Sequence, residues 1–532
     1  MSRGSLVEAR PTRPPPGCPC VFAPCRGSPN ARAAAAAAMC IPASAAVLRE
    51  SLDAEELARL RRIVGSPCTT SEGAGSAEED EGASTDDGGE GGGSPDAETG
   101  PKLVEARPTT PAWVRFCPDL PQLTRKLRIA LPCCGIDGAG HALHAAGVPF
   151  DAVFAADLDT RYRTALEQHL EAAGSMTPRL HLGSVDGDVL RMELSTLPTP
   201  CDMIVSGPPC PPWAGNGSHK GQHDERADVF LKVLQQVVWL AKAGGLLACC
   251  LENVKGILQC KKNSHEKSFL HRVQDVLRSE CNELVWSIQT LHAKDYMLPQ
   301  SRTRVLLRGL RAEACPPSGR MPSSLPPFGQ GDLESMLSDM PNVVRTDLTL
   351  CQQENLMALE SKLSTAVSNG RLDVDSVVVC CIDRGEGRVY KQQWCVGEVP
   401  TLTTSNRFMF ALSVSDLQMP DCDRRLFRFI SSKERLALQG FPPIVHTWLG
   451  SDNLAIKAAG NAYPVPLMLA SLHPLVCAIQ ERITLLKWPP PGLLNASKAA
   501  QSATRVLRKL RPRPKSIPQR KRKRHRSDSE SF

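Results

Sequence analysis

Between Lys126 and Asp157 the chain runs through an apolar segment (Leu127 to Leu131), a glycine-containing turn, a helical pattern (His141 to Ala146) and a second apolar segment (Ala152 to Ala156) that ends on an acid. Strand, glycine turn, helix, strand, acid is the unit from which doubly wound α/β sheets are built, and it leaves few other folds open. Apolar runs at Met203–Ser206, Leu246–Leu251, Leu284–Leu291 and Arg304–Leu310 predict further strands, and helical periodicity predicts helices over Asp228–Ala241 and Glu266–Ser279. The ordered region is expected to run to about Leu486, before Pro489 to Pro491.

The flanks have a different texture. Glu72 to Glu98 holds ten acids and no Lys or Arg among many Gly and Ser, too little apolar surface to offset chain entropy. Met1 to Ala46 is rich in Ala, Pro and Arg, a composition shared by organelle transit peptides and nuclear-protein leaders, and a short helix is expected near Ala54 to Val64. The heptapeptide LVEARPT occurs at Leu6 to Thr12 and again at Leu103 to Thr109, too short for a structural repeat. Arg505 to Phe532 carries 12 Lys/Arg and 2 acids, so the formal net charge of +7 lies mostly in the tail and the rest of the chain is slightly acidic. No run approaches the roughly 18 uncharged apolar residues of a membrane span, so no membrane partner is expected. The 21 Cys include adjacent pairs at Cys133/Cys134, Cys249/Cys250 and Cys380/Cys381 inside apolar runs. They read as small buried hydrophobes in a reducing compartment rather than as a disulfide framework.

Three stretches carry chemistry. The turn Cys134 to Gly140 places glycines where backbone can approach a ligand at a strand's carboxyl end, and Asp157, about 20 residues on, suits a ribose-hydroxyl acceptor; each alone is equally an ordinary turn and a helix cap. The decisive stretch is Asp202-Met-Ile-Val-Ser-Gly-Pro-Pro-Cys-Pro-Pro-Trp213, a strand running into a rigid turn that presents the single thiol Cys210. Such a thiol is a nucleophile if its thiolate is favoured, and otherwise a structural cysteine. Leu246 to Leu251 ends in Glu252-Asn253-Val254, whose carboxylate can stand beside that thiol. Alternate spacing puts Gln300, Arg302 and Arg304 on one side of an extended segment, where two guanidinium groups can hold an anionic or carbonyl-bearing substrate, or form a solvated basic edge. No spaced Cys/His cluster of metal-binding type is present; Cys18, Cys20 and Cys25 are too few and too irregular.

In this order these segments resemble the C5-cytosine DNA methyltransferase family over about Leu127 to Ile483. The family's cofactor loop resembles Cys133 to Gly138, its acidic strand end Ala156-Asp157-Leu158-Asp159, and its third acidic position Gly187-Asp188-Val189. Its nucleophile turn matches Pro209-Cys210, its Glu-Asn-Val matches Glu252 to Val254, and its Gln-x-Arg-x-Arg matches Gln300 to Arg304. Arg428 to Pro442 resembles the ninth motif, and Gly460-Asn461-Ala-Tyr-Pro464 the tenth. The resemblance implies an α/β, doubly wound S-adenosylmethionine-dependent methyltransferase fold with a small target-recognition domain and disordered termini. On that reading residues 1–110 are low-complexity and largely disordered, 111–310 form the catalytic core, and 311–399 the target-recognition region with a strand at Val377–Ile382. Residues 400–486 are the C-terminal part of the core, and 487–532 are a basic disordered tail; from charge alone, its run Arg520 to Arg524 is expected to serve nuclear import and non-specific nucleic-acid contact, or else only solubility. One departure stands out: where the family opens its first motif with Asp-Leu-Phe, this chain has Leu131, Pro132 and Cys133.

The resemblance also implies roles. Cys210 attacks C6 of a flipped-out cytosine, Glu252 serves N3 and the exocyclic amine, Arg304 binds the O2 carbonyl, and Arg302 supports the catalytic loop and a nearby phosphate. S-adenosyl-L-methionine is the implied cofactor, held by Cys134, Gly135, Gly138, Asp157, Leu158, Asp188, Pro208 and Asn461. Pro211 to Asp228, with His219, Lys220, His223 and Arg226, is the implied mobile loop. The expected partner is double-stranded DNA, and the expected location is the nucleus, with an organelle as the alternative. A tRNA-methylating branch is the nearest rival, but its Cys-Phe-Thr tripeptide does not occur. A silent chromatin adaptor would have no physical need for Cys210, Glu252, Arg302 and Arg304 together.

Overall fold

The computed structural model describes residues 111–120, 123–176, 179–214, 220–243, 245–260, 266–338, 340–383, 394–404, 409–486, 488 and 496–511. The expectations for residues 1–110, for part of the target-recognition region (384–393) and for the basic run beyond 511 lie outside them.

The described region is organised by one seven-stranded sheet. In chain order its first strands are β1 (Leu127–Pro132), β2 (Phe150–Asp157), β3 (Arg179–Leu182), β4 (Met203–Ser206), β5 (Ala248–Val254) and β6 (Leu284–His292); after the short β7 (Gln300–Ser301) comes β8 (Thr303–Arg311). The spatial order is β3-β2-β1-β4-β5-β8-β6. Strands β3 to β5 pair in parallel, and β8 lies antiparallel between β5 and β6. The order reverses between β1 and β4, and at such a switch point the strand ends leave a crevice for ligands.

The central strands are buried on both faces, as near-continuous apolar runs require. Asp202, fully buried at the start of β4, accepts from the guanidinium groups of Arg125 and Arg128 at 2.6–3.1 Å, and these contacts hold its carboxyl below the usual range despite the burial that opposes them. At the other end the Ser206 hydroxyl donates to the Pro132 carbonyl (2.6 Å), locking the tips of β4 and β1 together.

The observed strands and helices follow the sequence closely: Ala227–Ala243 and Phe269–Glu280 are the two predicted helices, the second started by Ser268, whose hydroxyl accepts from His271 N–H. The inserted position of β8 and the strand β3 were not legible, since pairing order is a tertiary choice. A second sheet, β10-β9-β12-β13, is built from β9 (Val377–Cys381), β10 (Cys395–Val396), β12 (Met409–Ser413) and β13 (Phe427–Phe429), while β11 (Val399–Pro400) pairs with β7 of the core. The helix Leu350–Ser368 packs on this sheet through Leu356, Leu359 and Leu363. The small sheet takes in β12, paired centrally with β9, and the edge strand β13, both of which lie beyond residue 399.

The stretch expected as a tail from 487 also differs. Ala496–Leu510 is a helix whose Ala499, Ala503, Val506 and Leu510 are buried against the helix Ala227–Ala243. That helix is apolar nearly all round, with Phe230, Val233, Leu234, Val237, Val238 and Leu240 all buried, so it needs a cover on its outer side. Arg505 and Lys509 pair with Glu280 at 2.7 and 2.6 Å, which removes them from any free basic run. Leu510→Ala should cost about 2 kcal/mol of stability, read by thermal denaturation.

Candidate active site

Four strand ends converge on the crevice. From β1 the chain enters Cys133 and Gly135, both with φ of 55°, a conformation that costs Cys133 strain and Gly135 little. Gly135 N–H donates to Asp157 Oδ2 (2.9 Å) and Asp159 N–H to its Oδ1 (3.0 Å), so the acid ending β2 organises the turn after β1. Burial nevertheless pushes the Asp157 carboxyl up. Leu158, beside it, is 58% exposed, unusual for a large apolar side chain. Asp188 caps the turn Val189–Arg191 and faces the same region: Asp157 and Asp188 both lie near the Cys133 thiol, which burial pushes up to about 12.

Asp137, a residue that the sequence left unassigned, starts the helix Gly138–Ala145 from the left-handed region at φ 53°. Its Oδ1 accepts from Gly140 N–H (2.8 Å), and its other oxygen lies 3.6 Å from His169 Nε2 without a hydrogen bond. Burial pushes this carboxyl up to about 7, and His141, stacked on His169 at 3.6 Å, is pushed down to about 3. The Asp inside Gly-Ile-Asp-Gly-Ala-Gly was the signal that could have flagged it.

At the end of β4, Pro208 is buried and its carbonyl accepts from Asn253 Nδ2 (3.2 Å), so the second residue of Glu252-Asn253-Val254 clamps the nucleophile turn to the tip of β5. Cys210 is partly exposed, and its carbonyl accepts from Trp213 and Ala214 N–H groups, closing the turn. Burial raises its thiol above the ordinary range, Glu252 raises it further, and Arg304 and Arg302 oppose them. Glu252 and Arg304, 10% and 7% exposed in their side chains, form an ion pair with Nε 2.5 Å from Oε1. Arg304 also donates to the Thr303 carbonyl (2.8 Å).

Arg302 was expected to support the catalytic loop and a nearby phosphate. It is buried, and its guanidinium donates to the carbonyls of Leu402 (2.7 Å) and Ala462 (2.5 Å), with Gly460 at 3.4 Å. Burial pulls it below the ordinary arginine range, and Arg304 acts in the same direction. With these three carbonyls it staples the 460–462 segment to the strand that carries Arg304. Gln300 is likewise buried, its Nε2 donating to the Leu438 carbonyl (2.8 Å). Asn461 is exposed at the end of the helix Asp452–Asn461, close to the Tyr162 hydroxyl. In the loop after Cys210, residues 215–219 with His219 lie outside the described residues, and Arg226 is paired with Asp224 at 2.8 Å. Among the described residues no group of His, Cys, Asp or Glu is arranged to hold a metal ion, and no single helix is long and apolar enough to cross a membrane.

Glu252→Gln removes the negative charge that helps raise the Cys210 thiol. Alkylation of Cys210 by iodoacetamide at neutral pH, mapped by peptide mass spectrometry, should therefore quicken about two- to fivefold. An unchanged rate would show that the two side chains do not share a field.

The family model described as "C-5 cytosine-specific DNA methylase" matches residues 129–475. Among curated proteins, the chain is 25% identical over 299 residues to the type II methyltransferase M.NgoPII of Neisseria gonorrhoeae, covering 54% of this chain and 80% of that one. It is 24% identical over 377 residues to M.XorII of Xanthomonas oryzae, covering 71% and 80%. A solved structure of the Entamoeba histolytica methyltransferase EhMeth aligns over 66% of this chain and 98% of its own, with a TM-score of 0.44 and 15% identity.

Proposed function

The chain belongs to the C-5 cytosine-specific DNA methylase family, and we propose that Cys210, Glu252 and Arg304 carry out its reaction on a base extruded from duplex DNA. It is a DNA (cytosine-5)-methyltransferase that uses S-adenosyl-L-methionine. The crevice residues fit that group: Asp157 offers a carboxylate to ribose hydroxyls, exposed Leu158 an apolar wall to a base, and Asp188 an acceptor at the third strand end. Cys134, Gly135 and Gly138 line the turn above, Pro208 the opposite tip, and Asn461 the tenth-motif side. When bound, S-adenosyl-L-methionine supplies an electrophilic methyl group.

The protein's own residues do the rest. Cytosine C5 is a poor nucleophile until the Cys210 sulfur adds to C6 and breaks the ring's aromaticity. Glu252 then stabilises charge developing at N3 and the exocyclic amine, and Arg304 does so at O2. Loss of the C5 proton and elimination of the thiol restore the aromatic ring and the free enzyme. Because the resting thiol is raised, base entry must bring the sulfur to its reactive form. Base entry itself requires flipping, since C6 is inaccessible in a stack. Arg302 acts as a positioning residue. The observation that carries the reading is the convergence of a partly exposed thiol, a carboxylate and a guanidinium at the tips of β4, β5 and β8.

The run Arg520-Lys-Arg-Lys-Arg524 supports a nuclear location. Nuclear accumulation of a reporter that carries residues 512–532 tests this, and a uniformly distributed reporter would remove it. For the reaction itself, tritium from labelled S-adenosyl-L-methionine should enter cytosine in duplex DNA and not in structured RNA. Glu252→Gln should lower turnover by roughly two or more orders of magnitude with DNA binding retained. A variant within twofold of wild type would take Glu252 out of the mechanism.

A further inference from the structure

Tyr463 is 4% exposed, belongs to none of the roles above, and stands between the two turns on which the reaction depends. It lies between the helices Asp452–Asn461 and Val465–Leu486, and the preceding carbonyl, that of Ala462, is fixed by Arg302. One edge of its ring faces the cofactor turn: a Cβ on Gly138 would stand 2.9 and 3.0 Å from Cδ2 and Cε2. The other edge faces the nucleophile turn: a Cβ on Gly207 would stand 3.0 and 3.2 Å from Cε1 and Cδ1, and 3.6 Å from Glu252 Oε2. Neither glycine has a positive φ, so backbone conformation does not require glycine at either place. The same aromatic ring crowds a Cβ at both positions, joined at Gly138 by the Tyr463 backbone carbonyl oxygen at 3.1 Å.

We infer that Tyr463 is a positioning residue for methyl transfer, a rigid spacer that fixes the separation between the cofactor turn at Gly138 and the nucleophile turn at Gly207 to Cys210. A tyrosine ring suits this because it has few torsions and does not compress, whereas two flexible glycine turns meeting directly would set no distance. Transfer between two bound reactants is sensitive to displacements of this size. The phenol oxygen is buried without a hydrogen-bond partner in the structure. That makes the ring, rather than an existing hydroxyl contact, the part that acts here. The inference rests on the reaction assigned above.

The test is a suppression series in the full-length protein. Tyr463→Leu should stay folded by thermal denaturation and keep its KM for DNA while kcat falls by roughly tenfold or more. Gly207→Ala, whose new methyl meets the ring, should lose a similar factor. Combining the two should restore at least about fivefold over Gly207→Ala alone, because the smaller side chain makes room for the methyl. Tyr463→Phe, which keeps the ring, should rescue most of the kcat lost by Tyr463→Leu. Iodoacetamide labelling of Cys210, read without any cofactor, should change in Gly207→Ala and return towards wild type in the double variant. Multiplicative losses in the double variant would overturn the spacer, as would a Tyr463→Phe as impaired as Tyr463→Leu. If Tyr463→Leu does not fold, Tyr463→Phe and Gly207→Ala decide against wild type: Tyr463→Phe should keep most of the kcat while Gly207→Ala loses it and alters Cys210 labelling, and the reverse of either result overturns the spacer. Wild-type protein with no transfer to DNA would refute the assigned reaction instead, and the labelling pattern would still report on the spacer.

Discussion

The Glu252–Arg304 ion pair is the contact on which the rest of the site depends. Both charges are largely withdrawn from water, and removing one partner of such a pair leaves the other uncompensated at a cost of several kcal/mol. The pair exists because β8 is inserted antiparallel beside β5 in a register that sets Val254 opposite Arg304. Glu252, two residues earlier on β5, then lies diagonally across from Arg304 on the same face. The strand pairing that closes the sheet thus delivers a carboxylate and a guanidinium, already facing each other, to the edge where Cys210 stands. A pyrimidine seated beside the pair would meet a carboxylate and a guanidinium that already hold each other in place, which is what electrostatic preorganisation requires.

The surrounding fold supports that edge from three directions. Ser206 ties β4 to β1, Asn253 ties the Pro208 turn to β5, and Arg302 ties β8 to the carbonyls of Leu402 and of the 460–462 segment. Each is a buried polar group answered by a backbone carbonyl, so its value lies in fixing geometry more than in net stability. The cofactor side is softer in its chemistry: Asp137 and His169 meet at 3.6 Å without a hydrogen bond directly beneath the turn.

What the sequence revealed and what it hid divide along a physical line. Apolar runs bounded by turn residues located β1, β4 and β5 to within a few residues, and the Pro-Cys turn, Glu252 and Arg304 were visible because each chemistry-bearing residue sits at a strand tip next to its own signal. Partners far along the chain were not visible. The spacing of Arg302 gave no sign of the carbonyls it bonds, which lie 100 to 160 residues away. The helix Ala496–Leu510 was hidden by its basic residues, although Ala499, Ala503, Val506 and Leu510 repeat at helical spacing. Tyr463 is visible in the sequence as part of the Gly460 to Pro464 motif, but its place against Gly138 and Gly207, both far away along the chain, is shown only by the structure.

The central claim is that Cys210 forms a covalent bond to cytosine C6 in the course of methyl transfer. Duplex DNA bearing 5-fluorocytosine at the target position tests it most directly, because fluorine cannot depart as the C5 proton does. With S-adenosyl-L-methionine present, the wild-type protein should form a complex that survives denaturation, and proteolysis with mass spectrometry should place the methylated base on the peptide containing Cys210. A complex of equal stability formed by Cys210→Ala, or an adduct mapped to any other cysteine, would contradict the account.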